Sequence, residues 1–257
     1  MTADAAAQAA GNDMTQHALL DNVSHKDLRV HRVFEPGCGY DANVARVFPA
    51  EFEQLQMEYP LFLFKNAETG HFESVALLGF ADGENLFLDG GRWDARYMPL
   101  SIERQPLLIG FQEQDVDGVP TRVPVVHVDL GHPSASTTEG EPLFLPQGGE
   151  SPLLERLTSV LKAVHDGHEA SQAFSQLLVG LDLVETLSID VRFDDGSRQS
   201  LAGLHTINEE KLASLGGDAL EALHQPGHLR RLYMMLASLP NLEKLIARKN
   251  ARLAARA

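Results

Sequence analysis

Two runs that alternate apolar and polar residues, LSIDVRF and SRQSLAGLHTI, face each other across DDG in the second half of the chain. Asp195-Gly196 suits the turn between them, because both residue types tolerate the backbone angles of a tight hairpin. A β-hairpin over 187–207 is therefore expected. The sequence around it is helical in pattern. In SPLLERLTSVLKAVHDG, Ser151 is placed to cap a helix, Pro152 fits its first turn, Glu155 favours that same turn and Gly167 is expected to stop it. A second helix is expected from about His168 to Leu178. After the hairpin, Thr206 and Glu209 stand at capping-box spacing ahead of NEEKLASL. GGDALEALHQPG and HLRRLYMMLASLPNLEKLIARKNARL read as the last helices. A hairpin set among helices points to an α+β chain.

The first half is β-rich. LRVHRVF (28–34) alternates as a half-buried strand does, and LFLFK (61–65) is a short apolar run typical of a strand covered on both faces. HFESVALLGF (71–80) is its expected antiparallel partner across NAETG. Between these, Pro49 opens a helix that runs to about Glu58, with Phe52 and Leu55 on one face. Pro99 and Pro106 suit edge strands or bends. LLIGFQEQ and VPTRVPVVHVDLG form a further hairpin around the turn DVDG. The stretch HPSASTTEGEPLFLPQGG reads as a surface linker over 134–150 with an apolar anchor at 143–145. The expected organisation is a β-rich lobe with antiparallel hairpins at 21–133, the linker, and a helical lobe at 151–257 that carries the inserted hairpin. The two lobes are expected to form one integrated domain. Residues 1–20 are expected to be a disordered extension, with Met14 a second candidate start beside Met1.

With 257 residues, 44% of them hydrophobic, the chain can bury roughly three-quarters of its unfolded surface. No run approaches the ~20 apolar residues that span a bilayer. MTADAAAQAAGNDMTQ has neither the basic nor the apolar region of a secretory signal, so a cytoplasmic setting is expected. Cys38 is the single cysteine, which excludes an internal disulfide and any multi-cysteine metal site. It sits in PGCGYD with no adjacent cation to lower its pKa and is read as passive. A net charge of −15 argues against a nucleic-acid surface, which needs a concentrated positive field. Neither a nucleophile elbow nor a glycine-rich phosphate loop is present.

Chemistry is concentrated in GENLFLDGGRWDARYMPL (83–100), which holds the only tryptophan. Two readings stay open. In one, Trp93 and Tyr97 form an aromatic wall while Asp89, Arg92, Asp94 and Arg96 contact a ligand or partner, arginine offering a planar fork for carboxylate or phosphate. In the other, a glycine turn is pinned by a buried tryptophan and closed by Asp–Arg pairs. HVDLGH places His127 and Asp129 on one face of a strand, with His132 returning from the turn, a set that suits non-haem iron or zinc. HDGHE (165–169) is read as a structural helix end. Near the C-terminus, Leu232, Met235, Leu236, Leu239, Leu242, Leu245 and Ile246 make an apolar row followed by Lys244, Arg248, Lys249, Arg252 and Arg256. That row is either a core helix with a cationic end or a docking helix for an acidic partner.

The stretches EYPLFLFK, HFESVALLGF, GENLFLDGGRWDARYMPL, HTINEEKLASL and GHLRRLYMMLASLPNLEKL, in that order, resemble the SapC family of bacterial proteins over nearly all of the chain after about residue 18. The 83–100 block is the most specific part. The resemblance implies, through the family's name, an association with bacterial surface layers, and it carries no catalytic residue onto these positions. The expectation is a binding or accessory module, not a free-standing enzyme, that uses no cofactor. Its partner is a small molecule, a protein or a further copy of the chain. One alternative is a metal- or small-molecule-dependent enzyme using His127, Asp129 and His132; another is a surface-layer component.

Overall fold

A computed structural model of the chain describes residues 16–116 and 119–255. Residues 1–15, with both candidate start methionines, and positions 117–118 of the DVDG turn lie outside the described residues. The part of the expected disordered extension (1–20) that is described is ordered. His17–Leu19 form a strand, β1, whose backbone pairs with residues 127–129.

The next strands, β2 (Arg29–Val30) and β3 (Val44–Arg46), are brief. The alternation seen in 28–34 thus yields a strand of only two residues, with Phe34 in an isolated antiparallel bridge to Gly91. Pro49 starts a 3-10 turn (Pro49–Glu51) that runs into helix α1 (Phe52–Leu55), and Phe52 and Leu55 are both fully buried. β4 (Leu61–Lys65) and β5 (Phe72–Leu77) make the expected hairpin. The pair β6 (Leu88–Asp89) and β7 (Arg92–Trp93) follows. Residues between the two prolines, expected to be edge strand or bend, form a short helix, α2 (Leu100–Glu103), with Pro99 just ahead of it. A proline at a helix start sacrifices no bond, since its nitrogen needs no partner there. β8 (Leu107–Val116) and β9 (Val119–Asp129) form a long ribbon, with β1 on its edge.

The stretch 134–150 is more than a surface linker. β10 (Ala135–Ser136) and β11 (Glu141–Pro142) pair with opposite sides of β2, and Leu143 and Phe144 are buried. The apolar anchor recognised in the sequence drives this, because two large side chains there bury against Leu28, Val30, Leu107, Val128 and the next helix.

That helix, α3 (Pro152–Gly180), is continuous through the glycine expected to end it. Ser151 caps it, its hydroxyl accepting from the Leu154 amide at 3.2 Å. Gly167 serves packing instead of termination. A Cβ added there would lie 2.6 Å from Cγ of Phe48, which is itself 1% exposed. The histidines of HDGHE accordingly lie mid-helix, and the His168 ring meets Phe48 edge-on at 5.3 Å.

β12 (Val184–Arg192) and β13 (Arg198–Ile207) form the hairpin around Asp195-Gly196, and Gly196 has φ +85°. Thr206 stays in β13, paired with Glu185, so it cannot cap the next helix. Asn208 does that instead, accepting from the Lys211 amide at 2.9 Å, and opens α4 (Glu209–Ala213). α5 (Gly217–His224), α6 (His228–Ser238) and α7 (Asn241–Ala254) complete the chain, with Pro240 dividing the last two.

The architecture is α+β. Its main sheet is antiparallel in the order β12-β13-β4-β5-β3. β13 pairs with β4 through Leu204–Phe64 and His205–Leu63, so one sheet takes strands from either side of 134–150. One hydrophobic core likewise holds Phe52, Tyr59, Leu63 and Phe87 together with Phe174, Leu232 and Leu245.

Candidate functional site

Residues 83–100 turn back on themselves at Gly90-Gly91. Both glycines have positive φ, +54° and +76°, which is the geometry of the tight hairpin turn matching strand twist. The turn aims Trp93 inward. Its ring stacks on Phe87 (centroids 6.1 Å apart, planes 14° apart) and meets Phe34 edge-on at 6.0 Å. Its indole nitrogen donates to the Tyr59 hydroxyl at 2.8 Å, and that hydroxyl donates to the Tyr97 carbonyl at 2.5 Å. The Tyr59 side chain is completely buried, and burial pushes its phenol pKa up. Trp93, Tyr59 and Tyr97 are thus one hydrogen-bonded chain that fixes where the backbone turns.

Two carboxylates hold the far end. Glu58 accepts from the Arg96 amide at 2.9 and 3.1 Å and from the Tyr97 amide at 3.3 Å. Glu51, 3% exposed, accepts from the Phe48 amide at 2.8 Å, the Leu100 amide at 3.0 Å and the Tyr97 hydroxyl at 3.1 Å. Burial raises the Glu51 pKa to about 7 in spite of those three donors.

From about 4.5 to about 7 the folded protein therefore keeps a proton that the unfolded chain has released, and stability falls as pH rises through that window. The expected loss between pH 5 and pH 8 is roughly 2–3 kcal/mol. His132, His168, His205 and His228, whose pKa values burial lowers, act in the opposite sense below their ordinary range. The decisive quantity is therefore the difference in urea-unfolding free energy between wild type and Glu51→Gln. It should change with pH by that amount; a pH-independent difference would refute the assignment.

The C-terminal helix closes the corner. Arg248 pairs with the Asp94 carboxylate, donates to the Asp94 carbonyl at 2.9 Å and lies 4.6 Å from the centre of the Phe87 ring. Arg252 donates to the Asn85 carbonyl at 2.9 Å and to that of Leu88. Lys249 pairs with Glu84 at 2.5 Å. Of the cations that the sequence offers to an acidic partner, Arg248, Lys249 and Arg252 are engaged by the chain's own acids and carbonyls, on a helix whose apolar row packs on the core, and Arg256 lies outside the described residues.

Of the six residues nominated for ligand contact, Trp93 and Tyr97 are half-buried and bonded within the corner, Asp94 is exposed but paired with Arg248, and Asp89, Arg92 and Arg96 are exposed on the outer rim. An open cleft of about 320 Å³ adjoins that rim, lined by Met57, Glu58, Arg96, Lys244 and Arg248. A second cavity, lined by Arg46, Phe48, Glu73, His168 and Ser171 among others, is about 70 Å³, too small for an ordinary ligand.

Sequence reasoning passed over Tyr59, Glu51, Glu58 and Arg248 as parts of this site. The legible signal was Glu51, which stands three residues after Phe48 with Pro49 between them. That spacing lets a Glu side chain reach back to the amide at the helix start.

The structure does not gather His127, Asp129 and His132. Asp129 accepts from the Gly131 amide at 3.0 Å and lies 3.9 Å from His17. His127 occupies space that Gly110 leaves open; a Cβ there would be 2.4 Å from its Nε2. His132 contacts the Ser134 hydroxyl at 2.7 Å and faces Tyr40 edge-on at 5.6 Å. Among the described residues, no three of His, Cys, Asp and Glu converge as a metal site would require. Cys38 is half-buried against the main core.

Residues 20–245 match the SapC family model. The chain belongs to the SapC family. The SapC match takes in both hydrophobic cores, the corner at 83–100 and most of the cleft, including Met57, Glu58, Arg96 and Lys244. No curated protein and no solved structure matches the chain.

Proposed function

We propose that this SapC family member is a binding or accessory module that performs no chemistry of its own, and that its ligand or partner meets the outer rim of residues 90–97. The single observation that carries this is the division of labour within the segment. Trp93, Asp94 and Tyr97 are used up in fixing the backbone, whereas Asp89, Arg92 and Arg96 are presented outward from it. A face held rigid before contact loses little entropy on binding, which is what a recognition surface requires. The reading goes with a cytoplasmic setting and with a small molecule, another protein or a further copy of the chain as partner.

Native mass spectrometry of gently purified, untagged protein tests it. The expected spectrum shows excess mass, or a clean multiple of the chain, that vanishes in Arg92→Ser/Arg96→Ser while the melting temperature stays put. A bare monomer in wild type, or bound mass unaffected by the double substitution, would overturn the proposal.

A further inference from the structure

We infer that the cleft between the end of α1 and helix α7 binds an anionic group, a carboxylate or phosphate borne by a small molecule with a short apolar portion, gripped by Arg96 and Lys244. The inference rests on the rim of residues 90–97 being the contact surface, and it names the chemistry that surface would take.

Charge is the first ground. The chain has 36 acidic residues against 21 Lys and Arg, yet Arg96, Lys244 and Arg248 converge on this one cleft. Lys244 and Arg248 stand four residues apart and so share one face of α7. Against Glu58 in the lining and the Asp94–Arg248 pair beside it, Arg96 and Lys244 leave the cleft with a small excess of positive charge on a negative protein, a local reversal of field.

The second ground is that the cleft's own acids are spoken for. Glu58 directs its oxygens at the amides of Arg96 and Tyr97, and Asp94 is taken by Arg248. Among the described residues, neither Arg96 nor Lys244 has a carboxylate within ion-pair distance. The Lys244 ammonium reaches only the Met57 carbonyl, at 3.3 Å. A guanidinium fork and an ammonium with open donors suit an oxyanion.

Third, Met57 is 47% exposed at the cleft. Its unbranched thioether adapts to irregular apolar surfaces, so the ligand should carry an apolar portion next to its charge.

A reporter is built in. Arg248 lies over Phe87, and Phe87 stacks on the only tryptophan, so an anion drawing on Arg248 disturbs the surroundings of Trp93. The test titrates the full chain with inorganic phosphate and, separately, with hexanoate, following Trp93 fluorescence and heat by calorimetry, with sodium chloride matched for ionic strength. Saturable binding of at least one probe is expected, weakening as salt rises. In Arg96→Gln/Lys244→Gln the affinity should fall about tenfold or more, since charge-assisted bonds are the strong ones, with an unchanged melting temperature. Preference for hexanoate would mark a carboxylate on an apolar body as the ligand; preference for phosphate would mark a phosphoryl group. No saturable signal with either probe, or equal affinity in the variant, overturns the inference. Should the native mass spectrum of Arg96→Gln/Lys244→Gln keep bound mass that Arg92→Ser/Arg96→Ser loses, the recognition rim survives and the cleft assignment alone falls.

Discussion

Trp93→Ala should cost about 3 kcal/mol of folding stability, the usual scale for truncating a large aromatic that is not wholly buried. Three losses combine. The ring leaves its stack on Phe87 and its edge contact with Phe34, the indole bond to Tyr59 disappears, and a void opens beneath the Gly90-Gly91 turn. Trp93→Phe keeps one six-membered ring but loses the pyrrole part and the bond, and should cost about 1–2 kcal/mol. Tyr59→Phe should cost about 1–3 kcal/mol, because it strips the partner from the indole nitrogen and from the Tyr97 carbonyl at once. Denaturation followed by circular dichroism measures all three, tryptophan fluorescence being unavailable in two of them. A Trp93→Ala protein as stable as wild type would show that the corner is held some other way.

Gly167→Val should destabilise by about 2–3 kcal/mol even though valine is the better helix former. The new Cβ would sit 2.6 Å from Phe48 Cγ and 2.7 Å from Cδ1, inside van der Waals contact, and Phe48 has no room to retreat. Helix α3 must then shift off the strand and helix beneath it, or the Phe48 ring must leave its rotamer. Shrinking the obstacle separates these costs. In a Phe48→Ala background the added penalty of Gly167→Val should drop well below its wild-type value, a coupling that a double-mutant cycle reads directly. Additive penalties would mean that the two residues do not meet.

These two sites mark where the sequence was legible and where it was not. Local signals carried the hairpins at 61–77 and 184–207, the cap at Ser151 and the start at Pro49, since each depends on residues close together in the chain. Gly167 was misjudged because a helix-ending glycine and a glycine that admits a neighbouring ring look the same in one dimension. What tells them apart is Phe48, more than a hundred positions away. Thr206 was displaced by the length of β13, which β4 extends by pairing with Leu204 and His205. At the candidate site, the turn and its tryptophan were apparent, but the partners were not. Tyr59, Glu58 and Arg248 reach the corner only through the tertiary fold, and a carboxylate whose task is to accept two amides resembles any other surface acid in sequence. Likewise His127 and Asp129 share a strand face by parity alone, and each then meets different neighbours.

The clamp that α7 places on the corner also sets an order of events during synthesis. Asp94 leaves the ribosome 154 residues ahead of Arg248. At ordinary elongation rates that interval is roughly 8–30 s. The Leu61 amide awaits the Ser238 hydroxyl over a similar stretch, and the carbonyls of Gln56 and Tyr59 await Asn241. Throughout it, the Phe87 ring lacks the Arg248 guanidinium that lies 4.6 Å from its centre, and Asp94 lacks its cationic partner. Helix α7 is the element that supplies this clamp, so a nascent chain that has not yet reached α7 holds the corner open.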